Sequence, residues 1–272
     1  MLLNVQGHEA YCYTGGKTFN PELPTVVFIH GAQNDHSVWI LQTRYFAHHG
    51  FSVLAVDLPG HGRSKGDPLP TVEAMADWLL ALLDAAGVQQ ASLVGHSMGS
   101  LIALETSLRA PARISRLALV GTAYPMKVSD VLLDASLNNE QEAIDMVNIW
   151  SHTSIAHKPS CPGPGFYVMG GSQRLMQHIS RRNPAKVFHT DFSACNAYAN
   201  GERAAKAVSC PTLLLLGKRD MMTPPKATAL LSQAIQGCRV VQIDNCGHSL
   251  MAEQPDAVLE SLYGFMTAAG KG

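Results

Sequence analysis

The residues most able to do chemistry lie in the pentapeptide Gly95-His96-Ser97-Met98-Gly99. An apolar run ends at this Gly-x-Ser-x-Gly pattern, and a helical pattern begins directly after it. A strand, a sharp turn and a helix in this order would lift the Ser97 hydroxyl above the end of a sheet, where it could act as a nucleophile. The pattern also fits a glycine-rich loop with a serine helix cap, so the pentapeptide alone leaves both interpretations open.

Two further polar residues have the types that would activate such a serine. Asp220 and His248 each lie just past the carboxyl end of a predicted strand, as Ser97 does. A serine hydroxyl is a poor nucleophile until an imidazole takes its proton, and the imidazole needs a carboxylate to hold its tautomer. The attacked carbonyl also needs backbone N–H donors, and Ala32 and Met98 could supply them from neighbouring strand ends. These types and places predict an acyl-transfer site.

The elements that must position these residues alternate between two patterns. Continuous apolar runs rich in β-branched residues indicate strands buried on both faces of a parallel sheet, and amphipathic stretches between them indicate helices. We predict an α/β fold, with a mostly parallel central sheet and helices on both faces. Ligands bind at the carboxyl edge of such a sheet, so the three polar residues would meet there. After two short strands within 3–13, the predicted strands are 25–29, 51–56, a run ending at Gly95, 114–120, 212–216 and 239–243.

Residues 122–205 break this alternation. They contain no apolar β-branched run, and helical patterns cover 131–150 and 171–182. A further helix is expected to start near Asp191, a plausible N-cap, and the Pro- and Gly-rich stretch 158–165 is expected to be irregular. We predict that this block is a helical cap inserted into the core, with an ordinary set of packed helices as the alternative. The predicted domains are a core of residues 1–121 and 206–272 and a cap of residues 122–205.

Five segments carry the chemistry and the turns around it. They are His30-Gly31, Asp57-Leu58-Pro59-Gly60-His61-Gly62-Arg63-Ser64, Gly95-His96-Ser97-Met98-Gly99, Gly217-Lys218-Arg219-Asp220 and Gly247-His248. Together they resemble the α/β-hydrolase family, whose order of Ser, Asp and His they share. The resemblance implies that Ser97 is the nucleophile, His248 the general base and Asp220 its orienting acid, with oxyanion-hole N–H groups at Ala32 and Met98. It also implies that the insertion is a cap that shapes substrate choice.

The resemblance implies a serine hydrolase that cleaves a carboxylic ester or a related acyl bond of a small to medium apolar substrate through an acyl-enzyme. No Asp or Glu lies between Val120 and Asp130, which favours Asp220 over an acid after the preceding strand. A serine in place of an aspartate nucleophile argues against dehalogenase or epoxide hydrolase chemistry. Carbon–carbon bond hydrolysis and cofactor-free perhydrolysis by the same triad remain alternatives, as do acyl transfer to an alcohol or amine and a non-catalytic ligand receptor.

Six further side chains are candidates for an apolar substrate pocket, although each also fits an ordinary core position. The candidates are Trp39, His96, Trp150, Phe166, Met169 and Met251. His30 is expected to brace its loop by hydrogen bonds, and His61 to belong to a structural turn. The loop after His30 lacks the extra glycines of family members that take bulky tertiary-alcohol esters.

Composition narrows the classes of partner. The 272 residues carry a formal net charge of −1 with no basic stripe, which disfavours nucleic acid, and no apolar run approaches the length of a membrane span. The six cysteines form no Cys-x-x-Cys pair and the twelve histidines no His-Glu-x-x-His, so we expect neither disulfides nor metal, and no cofactor is required. Met1-Leu2-Leu3-Asn4 lacks a signal-like pattern, so we expect a cytoplasmic protein that acts on a small-molecule acyl substrate, with its oligomeric state open.

Overall fold

An eight-stranded sheet forms the centre of the protein in a computed structural model that describes residues 1–153 and 164–268. The strands are β1 (Leu2–Val5), β2 (His8–Tyr13), β3 (Thr25–Ile29), β4 (Ser52–Val56), β5 (Ala91–His96), β6 (Ile114–Val120), β7 (Thr212–Gly217) and β8 (Arg239–Ile243). Their order across the sheet is β1-β2-β4-β3-β5-β6-β7-β8. β1 and β2 pair antiparallel, and β3 to β8 are all parallel. The predicted mostly parallel sheet is confirmed.

Helices surround this sheet. In the described parts of the chain they are α1 (Ile40–His48), α2 (Val72–Ala85), α3 (Met98–Arg109), α4 (Asp130–Asn138), α5 (Glu140–Trp150), α6 (Pro164–Arg182), α7 (Val187–Ala197), α8 (Gly201–Ala207), α9 (Ala229–Ala234), α10 (Leu250–Glu253) and α11 (Pro255–Thr267). None of these helices has both the length and the apolar character needed to cross a membrane.

Alternating side chains of the central strands build a separate core on each face of the sheet. In β3, Val27 and Ile29 pack with residues of α2 and α3, whereas Val26 and Phe28 pack with residues of α1 and α11 on the opposite face. Successive side chains of a strand point to opposite faces, so a strand covered on both sides must be apolar at every position. This explains why the central strands read as continuous apolar runs.

Among the described residues between β6 and β7 there are five α-helices, α4 to α8, and no strand. α7 and α8 both contact α3 of the core. The connection also has a small apolar cluster of its own, formed by Leu132, Ala135, Ala143, Ile144, Met176, Phe188 and Phe192. The helices of this block therefore pack on one another as well as on the core.

The connection departs from the sequence-based expectation in three places. The helix expected over 131–150 is two helices, because the backbone leaves the helical region at Asn139, where φ is −144°. Asp191 is not an N-cap: α7 begins at Val187, and Asp191 lies inside it on the buried face. Within the stretch expected to be irregular, α6 begins at Pro164, and residues 158–163 lie outside the described residues.

Candidate active site

Ser97 lies on the sharp turn that joins the end of β5 to the start of α3. Its φ of 52° and ψ of −120° form a conformation that residues with a side chain rarely adopt. Glycines make the turn possible: a Cβ on Gly95 would overlap the Gly99 carbonyl oxygen, and a Cβ on Gly99 would overlap the carbonyl oxygens of Ile29 and His30. The turn presents Ser97 at the carboxyl edge of the sheet.

Asp220 follows β7, and both of its carboxylate oxygens accept hydrogen bonds. The N–H groups of Met222 and Thr223 each donate to Oδ1 at 2.8 Å, and Thr223 Oγ1 donates to Oδ2 at 2.8 Å. Burial raises the pKa of Asp220, but the charge and hydrogen bond of His248, together with the Thr223 donors, outweigh it and hold the pKa below its usual range. Asp220 is therefore an anion that only accepts hydrogen bonds.

His248 lies in the loop after β8, with its Nδ1 2.8 Å from Asp220 Oδ2. Because an ionised carboxylate has no proton to give, Nδ1 carries the hydrogen, which leaves Nε2 as the ring nitrogen that can accept a proton. The loop is fastened beside the ring, since the Gly247 N–H donates to Glu253 Oε1 at 3.1 Å. Glu253 is a supporting residue that the sequence reasoning missed.

His30 determines the direction of the peptide between Gly31 and Ala32. The Leu58 N–H donates to His30 Nε2 at 3.2 Å, so Nδ1 carries the hydrogen and donates to the Gly31 carbonyl at 2.8 Å. Burial keeps this ring neutral by lowering the pKa of His30 to about 3. A trans peptide points its N–H away from its C=O, so the Ala32 N–H faces away from His30. Met98 is the first residue of α3, and its N–H has no acceptor within the helix.

Ser97 borders two cavities, which also share Phe192 and Met222 on their walls. The first has a volume of about 270 Å³ and is bordered by His248 and Ala32. The second has a volume of about 320 Å³, and His248 is not on its wall. Apolar side chains of the first wall include Val38, Val147, Val168, Leu175, Met176 and Met251, and those of the second include Met126, Val128, Leu132, Trp150 and Met221.

Three of the predicted pocket residues lie on these walls. His96 and Met251 border the first cavity, and Trp150 borders the second. His96 also supports the neighbouring loop, because its Nε2 donates to the His248 carbonyl at 2.8 Å. Burial, followed by the charge of His248, lowers the pKa of His96 to about 3, so this ring is neutral.

The remaining pocket candidates lie elsewhere. Trp39, for which the sequence fits either a core or a pocket position, borders neither of these two cavities: it is fully buried in the core, and its ring centroid lies 5.3 Å from that of Phe28. The reason is that Trp39 faces the sheet as the chain enters α1. Met169 lies half-buried on α6 but on neither wall. The side chain of Phe166 lies outside the described residues.

The sequence reasoning missed a buried contact next to Ala32. The Gln33 N–H and His61 Nε2 lie 2.8 Å and 2.9 Å from Asp191 Oδ2, which links two core loops to α7. The sequence does contain a signal for this contact, because Asp191 shares one helix face with the apolar Phe188 and Cys195. A carboxylate on such a face requires a buried partner.

One group in the described residues has ligand atoms close enough to hold a metal ion: Asp35, His36 and Asp57, whose atoms lie within 4.8 Å of one another. Each acid already has a structural partner. His36 Nδ1 is 2.7 Å from Asp57 Oδ1, and the Ser37 N–H donates to Asp35 Oδ1 at 2.8 Å as a helix cap. These bonds explain the cluster as a brace between two loops.

Comparison with known proteins identifies the family. Residues 24–255 match the family model described as the alpha/beta hydrolase fold. The chain is 25% identical over 270 residues to 3-oxoadipate enol-lactonase 1 of Acinetobacter baylyi, covering 98% of this chain and 96% of that protein. It is 26% identical over 261 residues to the pimeloyl-(acyl-carrier protein) methyl ester esterase of Nitrosospira multiformis, covering 90% and 95%. The crystal structure of the enol-lactonase from Burkholderia xenovorans LB400 is similar with a TM-score of 0.84 at 23% identity, covering 98% of this chain and 100% of that one. The chain therefore belongs to the alpha/beta hydrolase family and is an enzyme of this hydrolase type.

Proposed function

We propose that this enzyme is a serine esterase in which Ser97 is the nucleophile, His248 the general base and Asp220 the acid that orients it. The observation that carries the proposal is that these residues lie together at the carboxyl edge of the sheet. Ser97, on its strained turn, and His248, paired with Asp220 at 2.8 Å, border the same cavity. Membership of the hydrolase family supports the same class of reaction.

Asp220 sets the direction of proton transfer. With Nδ1–H donated to Asp220, Nε2 of His248 accepts the Ser97 proton as the serine oxygen attacks the ester carbonyl, and Asp220 stabilises the imidazolium. The N–H groups of Ala32 and Met98 hold the oxyanion of the tetrahedral intermediate. When the ester C–O bond breaks, the leaving alcohol takes the proton from His248. Water then attacks the acyl-enzyme in the same way and releases the acid.

The two cavities favour an ester with two apolar parts. The departing oxygen must receive a proton from His248, so the alcohol part belongs in the first cavity, which His248 borders. The acyl part then extends from Ser97 into the second cavity, along Leu132 and Trp150. The residues on the two walls all lie in the described part of the chain. Among them, Lys127 is the only residue of the types Lys, Arg, Asp and Glu. Walls of this kind favour uncharged groups, because burying an unpaired charge is costly.

The helices between β6 and β7 supply much of the first wall, for example through Val147, Leu175 and Phe192. This supports treating residues 122–205 as a cap that shapes substrate choice, on a core of residues 1–121 and 206–272. Substrate preference then depends on side chains far from Ser97 in the sequence.

Hydrolysis of p-nitrophenyl esters, from acetate to decanoate, tests the proposal. We expect kcat/KM to rise with acyl length until the second cavity is full, and kcat to fall by about 10⁴-fold or more in Ser97→Ala. Ser92→Ala is the matched control, because Ser92 lies at the other end of β5, where its Oγ is 2.9 Å from Ser115 Oγ. This variant should retain the wild-type kcat.

Other outcomes would point to the alternatives. Equal turnover in Ser97→Ala and the wild type would contradict a serine mechanism. Cleavage of a carbon–carbon bond in a diketone, with no ester turned over, would indicate a carbon–carbon bond hydrolase, and peracid formation from acetate and peroxide would indicate a perhydrolase. Failure of a fluorophosphonate to label Ser97 would favour a ligand receptor.

A further inference from the structure

Gln33 follows Ala32 directly and has an unusual backbone conformation. Its φ is 53°, in the left-handed region that residues with a Cβ rarely adopt. Its side chain is fully buried, and Nε2 donates to the Met176 carbonyl at 3.0 Å and to Ser180 Oγ at 2.6 Å, both in α6. A strained conformation of this kind persists only where its surroundings hold it.

The group that holds the Gln33 backbone is Asp191 of α7. The Gln33 N–H donates to Asp191 Oδ2 at 2.8 Å. Asp191 is fully buried and is on the wall of neither cavity. Because Asp191 does not reach the space for substrate, it can affect the reaction only through the groups that it contacts, of which the Gln33 N–H lies nearest to Ala32 in the sequence.

His61 is the hydrogen-bonding partner of the buried Asp191 carboxyl group. Its Nδ1 is 3.0 Å from the Pro59 carbonyl, which cannot donate, so Nδ1 carries a hydrogen, and its Nε2 is 2.9 Å from Asp191 Oδ2. Burial lowers the pKa of His61, but the charge and hydrogen bond of Asp191 outweigh burial and raise the pKa above its usual value. Both ring nitrogens of His61 therefore lie against oxygen atoms, and this buried His61–Asp191 pair is a weak source of stability but a well-directed acceptor for the Gln33 N–H.

The loop of Gly31, Ala32 and Gln33 lies directly against Ser97, the proposed nucleophile. A Cβ on Gly31 would lie 3.1 Å from Ser97 Cβ. His30 orients the Gly31–Ala32 peptide through the Gly31 carbonyl at 2.8 Å, and Asp191 orients the following peptide through the Gln33 N–H. The two peptide planes meet at the Ala32 Cα, so rotation of one tilts the other. Both must be held if the Ala32 N–H is to keep one direction.

We propose that Asp191, paired with His61, is a positioning residue that aims the Ala32 N–H at the oxyanion beside Ser97. The helical connection would then help to build the catalytic site in addition to the cavity walls. This role rests on the proposed esterase function. An N–H aimed at the oxyanion stabilises the transition state more than the bound ester, so losing its alignment lowers kcat and leaves KM nearly unchanged.

The test uses Asp191→Ala and Asp191→Asn in the whole 272-residue chain. With a p-nitrophenyl ester, we expect kcat to fall by about 10- to 100-fold in Asp191→Ala, with KM within about threefold of the wild type. Asp191→Asn should be intermediate, because its amide oxygen can still accept from Gln33 but carries no charge for His61. An aryl trifluoromethyl ketone forms a tetrahedral oxyanion with a catalytic serine, so its affinity should fall by the same factor as kcat/KM.

Tyr198→Phe is a matched control. Tyr198 is also a buried residue of the connection between β6 and β7, and its hydroxyl donates to Glu105 Oε2 of α3 at 2.9 Å. Its loss removes a buried contact with the core but leaves Gln33 untouched. We expect the midpoint of thermal unfolding to fall while kcat and ketone affinity stay at the wild-type values.

Wild-type kcat and ketone affinity in the two Asp191 variants would overturn the positioning role. An equal loss of kcat and ketone affinity in Tyr198→Phe would also overturn it, because loosening the connection between β6 and β7 at any point would then be enough to lower the activity. If Asp191→Ala does not fold, the comparison of Asp191→Asn with the wild type decides by the same criteria. Absence of ester turnover in the wild type would contradict the proposed function itself, and the positioning role with it, so the two failures are distinct.

Discussion

Replacing Asp220 with Asn exchanges one oxygen for an amide group and should invert the tautomer of His248. Two N–H groups, those of Met222 and Thr223, donate to Oδ1 at 2.8 Å each, so the amide oxygen of the variant must take that place. The amide NH₂ then occupies the place of Oδ2, 2.8 Å from His248 Nδ1, and donates to it. His248 must then carry its hydrogen on Nε2, where it cannot accept the Ser97 proton.

The size of the effect follows from this inversion. The same tautomer change costs about 10⁴-fold in kcat in well-studied Ser-His-Asp enzymes, which corresponds to about 5 kcal/mol of transition-state free energy. The assay is kcat on a p-nitrophenyl ester, together with thermal unfolding. The variant should still unfold in one cooperative transition, because the amide keeps the shape of the side chain and the two backbone hydrogen bonds, although it loses the stability that the ionised carboxylate contributes.

Thr223→Val is the matched control for this variant. It removes the hydroxyl that donates to Asp220 Oδ2 at 2.8 Å and lies 3.1 Å from His248 Nδ1, but it leaves the carboxylate and the His248 tautomer in place. Losing the contacts of this hydroxyl is worth about 1–2 kcal/mol, so kcat should fall by about tenfold. An Asp220→Asn variant within about tenfold of the wild-type kcat would refute the reasoning, and so would an equal loss in both variants.

The cavity positions and the charge of Asp220 lead to two further predictions. Leu132→Trp should fill the second cavity and lower kcat/KM by about fourfold for each acyl methylene it displaces, at about 0.8 kcal/mol each. Leu175→Trp should instead lower kcat/KM for esters with bulky alcohol groups. If an ester panel shows the opposite pattern, the first cavity holds the acyl group and the second the alcohol. Because the pKa of Asp220 is lower in the folded protein than in the unfolded chain, its contribution to the free energy of unfolding is complete above about pH 4 and is lost as the pH falls through the folded pKa. In denaturant unfolding, the difference in free energy of unfolding between the wild type and Asp220→Asn should therefore become smaller as the pH is lowered. A difference that stays constant with pH would contradict this prediction.

Some features of the fold follow from local chemistry and could be predicted from the sequence. The predicted strands 25–29, 114–120 and 239–243 have the same bounds as β3, β6 and β8. In β3 every residue is apolar or β-branched and buried, because both faces of this strand are covered. Asp220 and His248 follow neighbouring parallel strands, which end at one edge of the sheet, so their meeting could be expected. The glycines beside Ser97 were equally informative, because few other residues tolerate such close carbonyl contacts.

Local patterns did not identify which buried side chains meet. By itself, Asp191 resembles a helix cap, and only its contact with His61, 130 positions away along the chain, shows why a carboxylate is buried there. Trp39 suits a cavity wall or a core equally well by type, and the packing at the start of α1 against the sheet puts it in the core.

The sequence by itself therefore determined the strands, the sharp turn at Ser97 and the order of the three polar residues. The tertiary structure alone decided the two cavities, the support of the Ala32 loop and the partners of Asp191. The physical reason is that residue type governs backbone conformation and the preference for burial, whereas contacts depend on how distant segments share a close-packed interior.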